Sequence, residues 1–154
     1  MKRRLLGGFL VLFALWPLVQ HALVRSQDVD PWRLFGWAMY CVPGSMKTVR
    51  VVEVSRAGRF AVLDVGGYDD ELQPVVDSFR IRRQSLGQLA SGDALARFVL
   101  ERHPDWEGVA LPVLTVSLDP ETALTRHDVD QATWWRDGSR DVFEVPRAAF
   151  GPAR

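Results

Sequence analysis

The chain of 154 residues predicts an α+β protein: one N-terminal transmembrane helix, then a small, mostly antiparallel sheet with about two helices on one face. Three observations predict it. The first is Leu5 to Val24, LLGGFLVLFALWPLVQHALV, 20 residues without a charge. The second is a set of β-branched, alternating segments joined by glycine turns, which reads as antiparallel hairpins. The third is a pair of stretches with helical apolar spacing lying between those hairpins.

At about 1.5 Å per helical residue, Leu5–Val24 measures about 30 Å, the thickness of a bilayer's hydrocarbon core. The basic start Lys2-Arg3-Arg4 and the core Leu5–Val19 would also suit a cleaved signal peptide. However, Pro17 to Val24 offers no pair of small residues two apart, so the expectation is an uncleaved anchor. Three basic residues precede the helix and only Arg25 follows it. The positive-inside rule then predicts a cytoplasmic N-terminus and a domain outside, which in a bacterium means the inner membrane and the periplasm. Within the span, Pro17 removes a backbone donor, and Gly7-Gly8 offers a small face for another helix. Gln20 and His21 fall near the outer end, where headgroup contact accounts for them.

The expected organisation is an anchor over 1–25, a juxtamembrane segment over 26–45 and an extracytoplasmic α+β domain over 46–154. Residues 26–154 carry 15 basic and 19 acidic side chains, a net of −4, which is no electrostatic footprint for nucleic acid. Membrane lipid is the partner that the composition does imply. A single cysteine, Cys41, rules out an intrachain disulfide.

In the juxtamembrane segment, Asp30-Pro31 is a helix-start signal and Pro43-Gly44 a stop. Between them Trp32, Phe35, Gly36 and Met39 share one helical face, and Leu34 and Trp37 lie on the other. A short helix that is apolar nearly all round must be covered. Tryptophan and tyrosine favour the depth of the membrane surface. Trp32, Phe35, Trp37, Met39 and Tyr40 are therefore candidates for docking on the bilayer or on another membrane protein, with Gly7 and Gly8 as the helix-packing face. Packing into the chain's own domain satisfies the same burial demand.

An apolar span followed by tryptophan-rich sequence through Met39-Tyr40 to Pro43 resembles small single-span bacterial membrane proteins. Some of these accompany multi-span proteins carrying the horizontally transferred transmembrane domain, related to vitamin K-dependent carboxylase. The resemblance covers about a dozen residues. It implies an accessory role beside a larger integral membrane protein and transfers no catalytic residue.

In the outer domain, Met46–Ser55 reads as a half-buried strand, Arg56-Ala57-Gly58 as a turn and Arg59–Val65 as the returning strand. Leu72, Val75, Val76 and Phe79 mark a helical face with Pro74 in its first turn. Ser91-Gly92-Asp93 opens a second helix that buries Leu95, Phe98 and Val99 and ends at Pro104. Gly108–Leu118 is an apolar strand in which Pro112 argues for an edge or a bulge. Val129–Trp135 and Arg140–Val145 read as a last hairpin with an Asp-Gly turn. The tail from Pro146 is expected to be frayed or extended.

Three constellations could carry chemistry. Met39, Cys41 and Met46 are soft ligands suited to Cu(I), the basis of an alternative reading as a membrane-tethered copper-binding or redox protein. Methionine and free cysteine on an apolar segment are more often packing. His127-Asp128 with Asp130, and His103 elsewhere, could form an acid–base cluster of a small hydrolase, but no Gly-X-Ser-X-Gly motif accompanies them. Arg80, Arg82 and Arg83 form a basic knot able to meet anionic headgroups or to pair with Asp69, Asp70 and Glu71. Trp134-Trp135 should point to opposite faces of a strand. The reading with the widest support is a non-enzymatic accessory or scaffolding subunit, with no catalytic residue, metal or cofactor assigned.

Overall fold

The computed structural model describes residues 2–27, 29, 45–63, 68–119 and 122–146, with side chains in the first helix from Leu6 onward. Helix α1 runs Lys2–Gln27 with Pro17 inside it. The strands are β1 Met46–Val49, β2 Val52–Val54, β3 Phe60–Val62, β4 Gly108–Ala110, β5 Val113–Leu118, β6 Thr125–Asp130, β7 Thr133–Trp135 and β8 Arg140–Asp141. Helix α2, Leu72–Leu86, passes through a 3-10 turn, Gly87–Leu89, toward helix α3, Asp93–Arg102. The class is α+β, as the hairpin and helix patterns predict.

The strands form a three-stranded sheet, β1-β5-β6, and a five-stranded sheet, β3-β2-β4-β7-β8, with every pair antiparallel. The two sheets are halves of one bent surface. Val49 faces Val113 in the first and Val52 faces Ala110 in the second, so a single register carries through. The same is true on the other side, where Val113 faces Asp130 and Ala110 faces Thr133. The stretches expected as the continuous strands 46–55 and 108–118 are each divided at this bend. Pro112 is the physical reason: it accepts from the Arg50 N–H at 3.1 Å but has no N–H to return.

Both hairpin turns have one construction. Gly58 N–H donates to the Ser55 carbonyl and Ser55 N–H to Arg59, each at 2.9 Å; Gly138 N–H donates to Trp135 at 3.0 Å and Trp135 N–H to Ser139 at 2.9 Å. Gly58 and Gly138 have φ of +80° and +85°, the left-handed position of a three-residue loop with a glycine bulge. The last hairpin is therefore one residue longer in the loop than a tight Asp-Gly turn. Its returning strand ends at Asp141 instead of Val145. Beyond it, side chains hold the chain: Gln131 bonds the Val145 carbonyl at 3.1 Å and its N–H at 2.7 Å, and Thr133 accepts from Phe143 N–H at 3.2 Å.

Alternation sorts the strands into two cores. Val49, Val51, Val109, Leu111 and Val113 face the helices, where Leu72, Val76 and Phe79 of α2 and Leu95, Ala96 and Val99 of α3 cover them. The helical faces predicted at Leu72–Phe79 and Leu95–Val99 are the buried ones, with Ala96 fully covered and Phe98 only partly. On the opposite face Val52, Val54 and Ala110 lie beneath Trp135, Phe143 and Val145. Val142–Pro146 thus acts as a cover over the sheet's second face, and Val145 is 2% exposed.

Candidate functional site

Helix α1 holds the one segment among the described residues that is long and apolar enough to cross a membrane, Leu6–Gln27. Its large apolar side chains from Leu6 to Val19, Trp16 apart, lie open, Leu12 and Leu18 among them. A Cβ placed on Gly7 or Gly8 would meet nothing within 4 Å, so the small face singled out in the sequence is uncovered. One strip of α1 behaves differently. Trp16, Leu23, Val24 and Gln27 are half-buried and Gln20 is buried. Their spacing of four, three, one and three residues is a single helical face. The helix lies against the 3-10 turn Gly87–Leu89, and Val29, just beyond it, is also buried. Gln20 is enclosed within the protein at 7% exposure. His21 is exposed.

The other docking candidates, Trp32, Phe35, Trp37, Met39 and Tyr40, lie outside the described residues, as does Cys41. Met46, the third member of the sulfur group, opens β1 and is 74% exposed. Among the described residues no three His, Cys, Asp or Glu side chains come together as metal ligands.

The histidine and carboxylate candidates are not brought together. His127 and Asp128 are neighbours on β6 and so point to opposite faces. Asp128 pairs with Arg126 at 3.0 Å, and Asp130 pairs with Arg83. His103 stacks on Trp106 with ring centres 4.2 Å apart. The arginine knot is divided as well. Arg80 pairs with Asp77 at 3.0 Å. Arg83 is buried, meets Asp130 and donates to the Gly87 carbonyl at 2.9 Å. Arg82 remains on the exposed side of α2. The acidic group Asp69 and Glu71, a possible partner of the knot, instead holds Arg102 of α3.

Two features emerge that sequence reasoning missed. A groove of about 520 Å³ runs between the 3-10 turn, the start of α3 and strands β5 to β7. The Arg83–Asp130 pair forms one wall. Trp134 forms the other, donating its indole N–H to Asp93 at 2.7 Å with Arg140 lying 4.8 Å over its ring. The Ser91 hydroxyl first, and the Trp134 N–H second, hold the Asp93 carboxyl below its ordinary value. The wall closes tightly, since a Cβ on Gly92 would stand 2.8 Å from the Trp134 ring. Two ion pairs, Arg83–Asp130 and Arg140–Asp93, stand at the walls of the groove. Nothing in the local sequence joins residues 83 and 130; only the packing of α2 on the sheet does.

The second feature is Glu107, at the sheet's turn end. Its carboxylate accepts the Arg56 N–H at 2.7 Å and the Ser55 hydroxyl at 2.9 Å, and these two, in that order, lower its pKa. Its carbonyl accepts the Arg136 N–H at 3.0 Å, and Arg56 pairs with Asp137. Both hairpin turns are thereby clasped at one point. Arg136 completes the clasp by donating to the carbonyls of Trp106 and Leu100, each at 2.9 Å, a cation at the end of α3 where the helix dipole favours one. Trp134 and Trp135 point to opposite faces as predicted. Trp134 packs on the helix side and Trp135 against Val52 and Val54, under the Arg56 guanidinium at 5.3 Å.

Comparison of the chain with protein-family models, with curated proteins and with solved structures finds no match.

Proposed function

We propose that this chain is a non-enzymatic accessory subunit of a larger integral membrane protein. In this reading α1 crosses a bacterial inner membrane with its N-terminus in the cytoplasm, and the α+β domain stands on the periplasmic side. The aromatic segment Trp32–Tyr40 and the Gly7-Gly8 face dock the partner. The observation that carries the reading is the open apolar surface of α1, from Leu6 and Phe9 to Leu18 and Val19. Such a surface is covered by lipid or by another helix. The open glycine face at Gly7-Gly8 supports the second cover along part of its length. Lys2, Arg3 and Arg4 at the start of α1, against Arg25 alone at its far end, support the orientation. Aromatic side chains next to the membrane are the residue types that supply interface anchors.

The test is recovery of the full tagged chain from membranes in mild detergent. The expected result is co-purification of a multi-span protein in stoichiometric amount, lost when Trp32 and Trp37 are both replaced by alanine. A chain that extracts as a monomer with no co-purifying protein sinks the proposal.

A further inference from the structure

The basic knot, the exposed apolar side chains of the helix layer and the strip on α1 converge on one part of the molecule. The 3-10 turn Gly87–Leu89 touches α1, and the enclosed strip Trp16–Gln27 lies in the C-terminal half of that helix. Leu89 of that turn is 53% exposed, and Ile81, in the α2 turns leading into it, is 57% exposed. Gln88 and Arg82 are exposed with them, and Arg25 is exposed where α1 ends. Two of the three arginines in the knot are engaged, Arg80 with Asp77 and Arg83 with Asp130. Arg82 forms no ion pair among the described residues, so its charge faces outward.

We propose that the 3-10 turn and the last turns of α2 are a membrane-contacting edge, with Leu89 and Ile81 seated among the headgroups around α1 and Arg82 and Arg25 on anionic lipid phosphate. The inference rests on the reading of α1 as a membrane span. Residues 6–15 of α1 are exposed and its enclosed positions begin at Trp16, so the turn packs on the half of the helix that leads out of the span toward the surface. Apolar side chains flanked by arginine are the composition that partitions there. The lipid is therefore the occupant that continuity with α1 selects.

The test uses the full chain with Cys41→Ser, reconstituted in nanodiscs of phosphatidylglycerol or phosphatidylcholine. An environment-sensitive fluorophore is placed at Leu89→Cys, at Leu12→Cys within α1, or at Ala57→Cys on the β2–β3 turn. Quenching by headgroup-level doxyl lipid should be strong at position 89, absent at 57, and at 89 greater in phosphatidylglycerol. Arg82→Glu should abolish that lipid preference while leaving position 12 in the bilayer. Position 89 as unquenched as 57, with position 12 still buried in lipid, overturns the inference and leaves the anchor standing. Loss of lipid contact at position 12 overturns both. Quenching at 89 that is equal in the two lipids overturns the assignment of Arg82 to phosphate.

Discussion

Helix α1 and the α+β domain solve the burial problem in opposite directions. In the domain, Val51, Val52, Val54, Leu95 and Val109 are wholly covered, and arginines and carboxylates occupy the outside. In α1, leucine and phenylalanine face outward and the residue most enclosed is Gln20. The domain carries its own solvent-excluding layers, helices on one face of the sheet and Val142–Pro146 on the other. Along α1 the side chains of Leu6, Phe9, Leu10, Leu12, Leu15 and Leu18 stand exposed instead. A polar side chain finds its partner inside the protein, and an apolar one is left to whatever surrounds the helix. That inversion is what water and a bilayer respectively ask of a chain.

The largest effect should come from charging the outer surface of α1. Leu10 and Leu12 are exposed, and each replaced by arginine costs about 2.5–3.5 kcal/mol at the centre of a span. The double variant is expected in the soluble fraction after carbonate extraction, with the melting of the domain unchanged. Retention in the membrane pellet would show that lipid does not cover this surface.

The converse variant attacks the domain alone. Leu95→Ala, at a site with no exposure, should lower stability by about 2–5 kcal/mol in denaturant titration and leave membrane retention intact. Next in size is Gly108→Ala. A Cβ there would stand 2.6 Å from the Trp135 ring and 3.1 Å from the Trp134 carbonyl, so overpacking should cost about 1–3 kcal/mol. A variant as stable as the parent would mean that the β4–β7 pairing yields more freely than the register implies.

The smallest effects concern charge. Trp134→Phe removes the N–H to Asp93 and should cost about 0.5–1.5 kcal/mol. Acid should separate the two regions further. The carboxyls of Asp69, Asp77, Asp93, Glu107 and Asp137 all lie below their ordinary values of 3.8 or 4.5, held down mainly by hydrogen bonds. Depressed carboxyls contribute stability that is fully present above the unfolded value and is lost as the pH falls through the folded one. The Tm of the domain should therefore hold from neutral pH to about pH 5 and decline below about pH 4. Membrane retention should not follow, because Lys2–Gln27 contains no acidic residue. A flat Tm down to pH 3 would remove these carboxylates from the stability of the fold.

The parts of the fold that were legible in the sequence are those set by near neighbours. The apolar body of α1, the helical faces of α2 and α3, the β2–β3 hairpin and the opposed Trp134 and Trp135 follow from charge exclusion, a period of 3.6 and a period of two, while α1 itself runs past the charges at both ends. Pro112 was readable as an interruption because a missing N–H is a property of the residue itself. Of the candidate site, the small residues Gly7-Gly8 were legible, whereas the separation of His127 from Asp128 was not, because the polar stretch before Val129 has no apolar alternation and becomes strand only by pairing with β5.

Only the tertiary structure decided the rest. The Arg83–Asp130 pair joins residues 47 positions apart, and the clasp joins Glu107 to Ser55, 52 positions away, and to Arg136, 29 away. Arg82 and Arg83 are equivalent in composition, and one is buried and paired while the other faces out, because α2 turns 100° between them and the sheet lies on one side only. Local sequence specifies which residues must be hidden or hydrated. Which partner hides them depends on a register shared across 108–118, and no short stretch of chain contains that information.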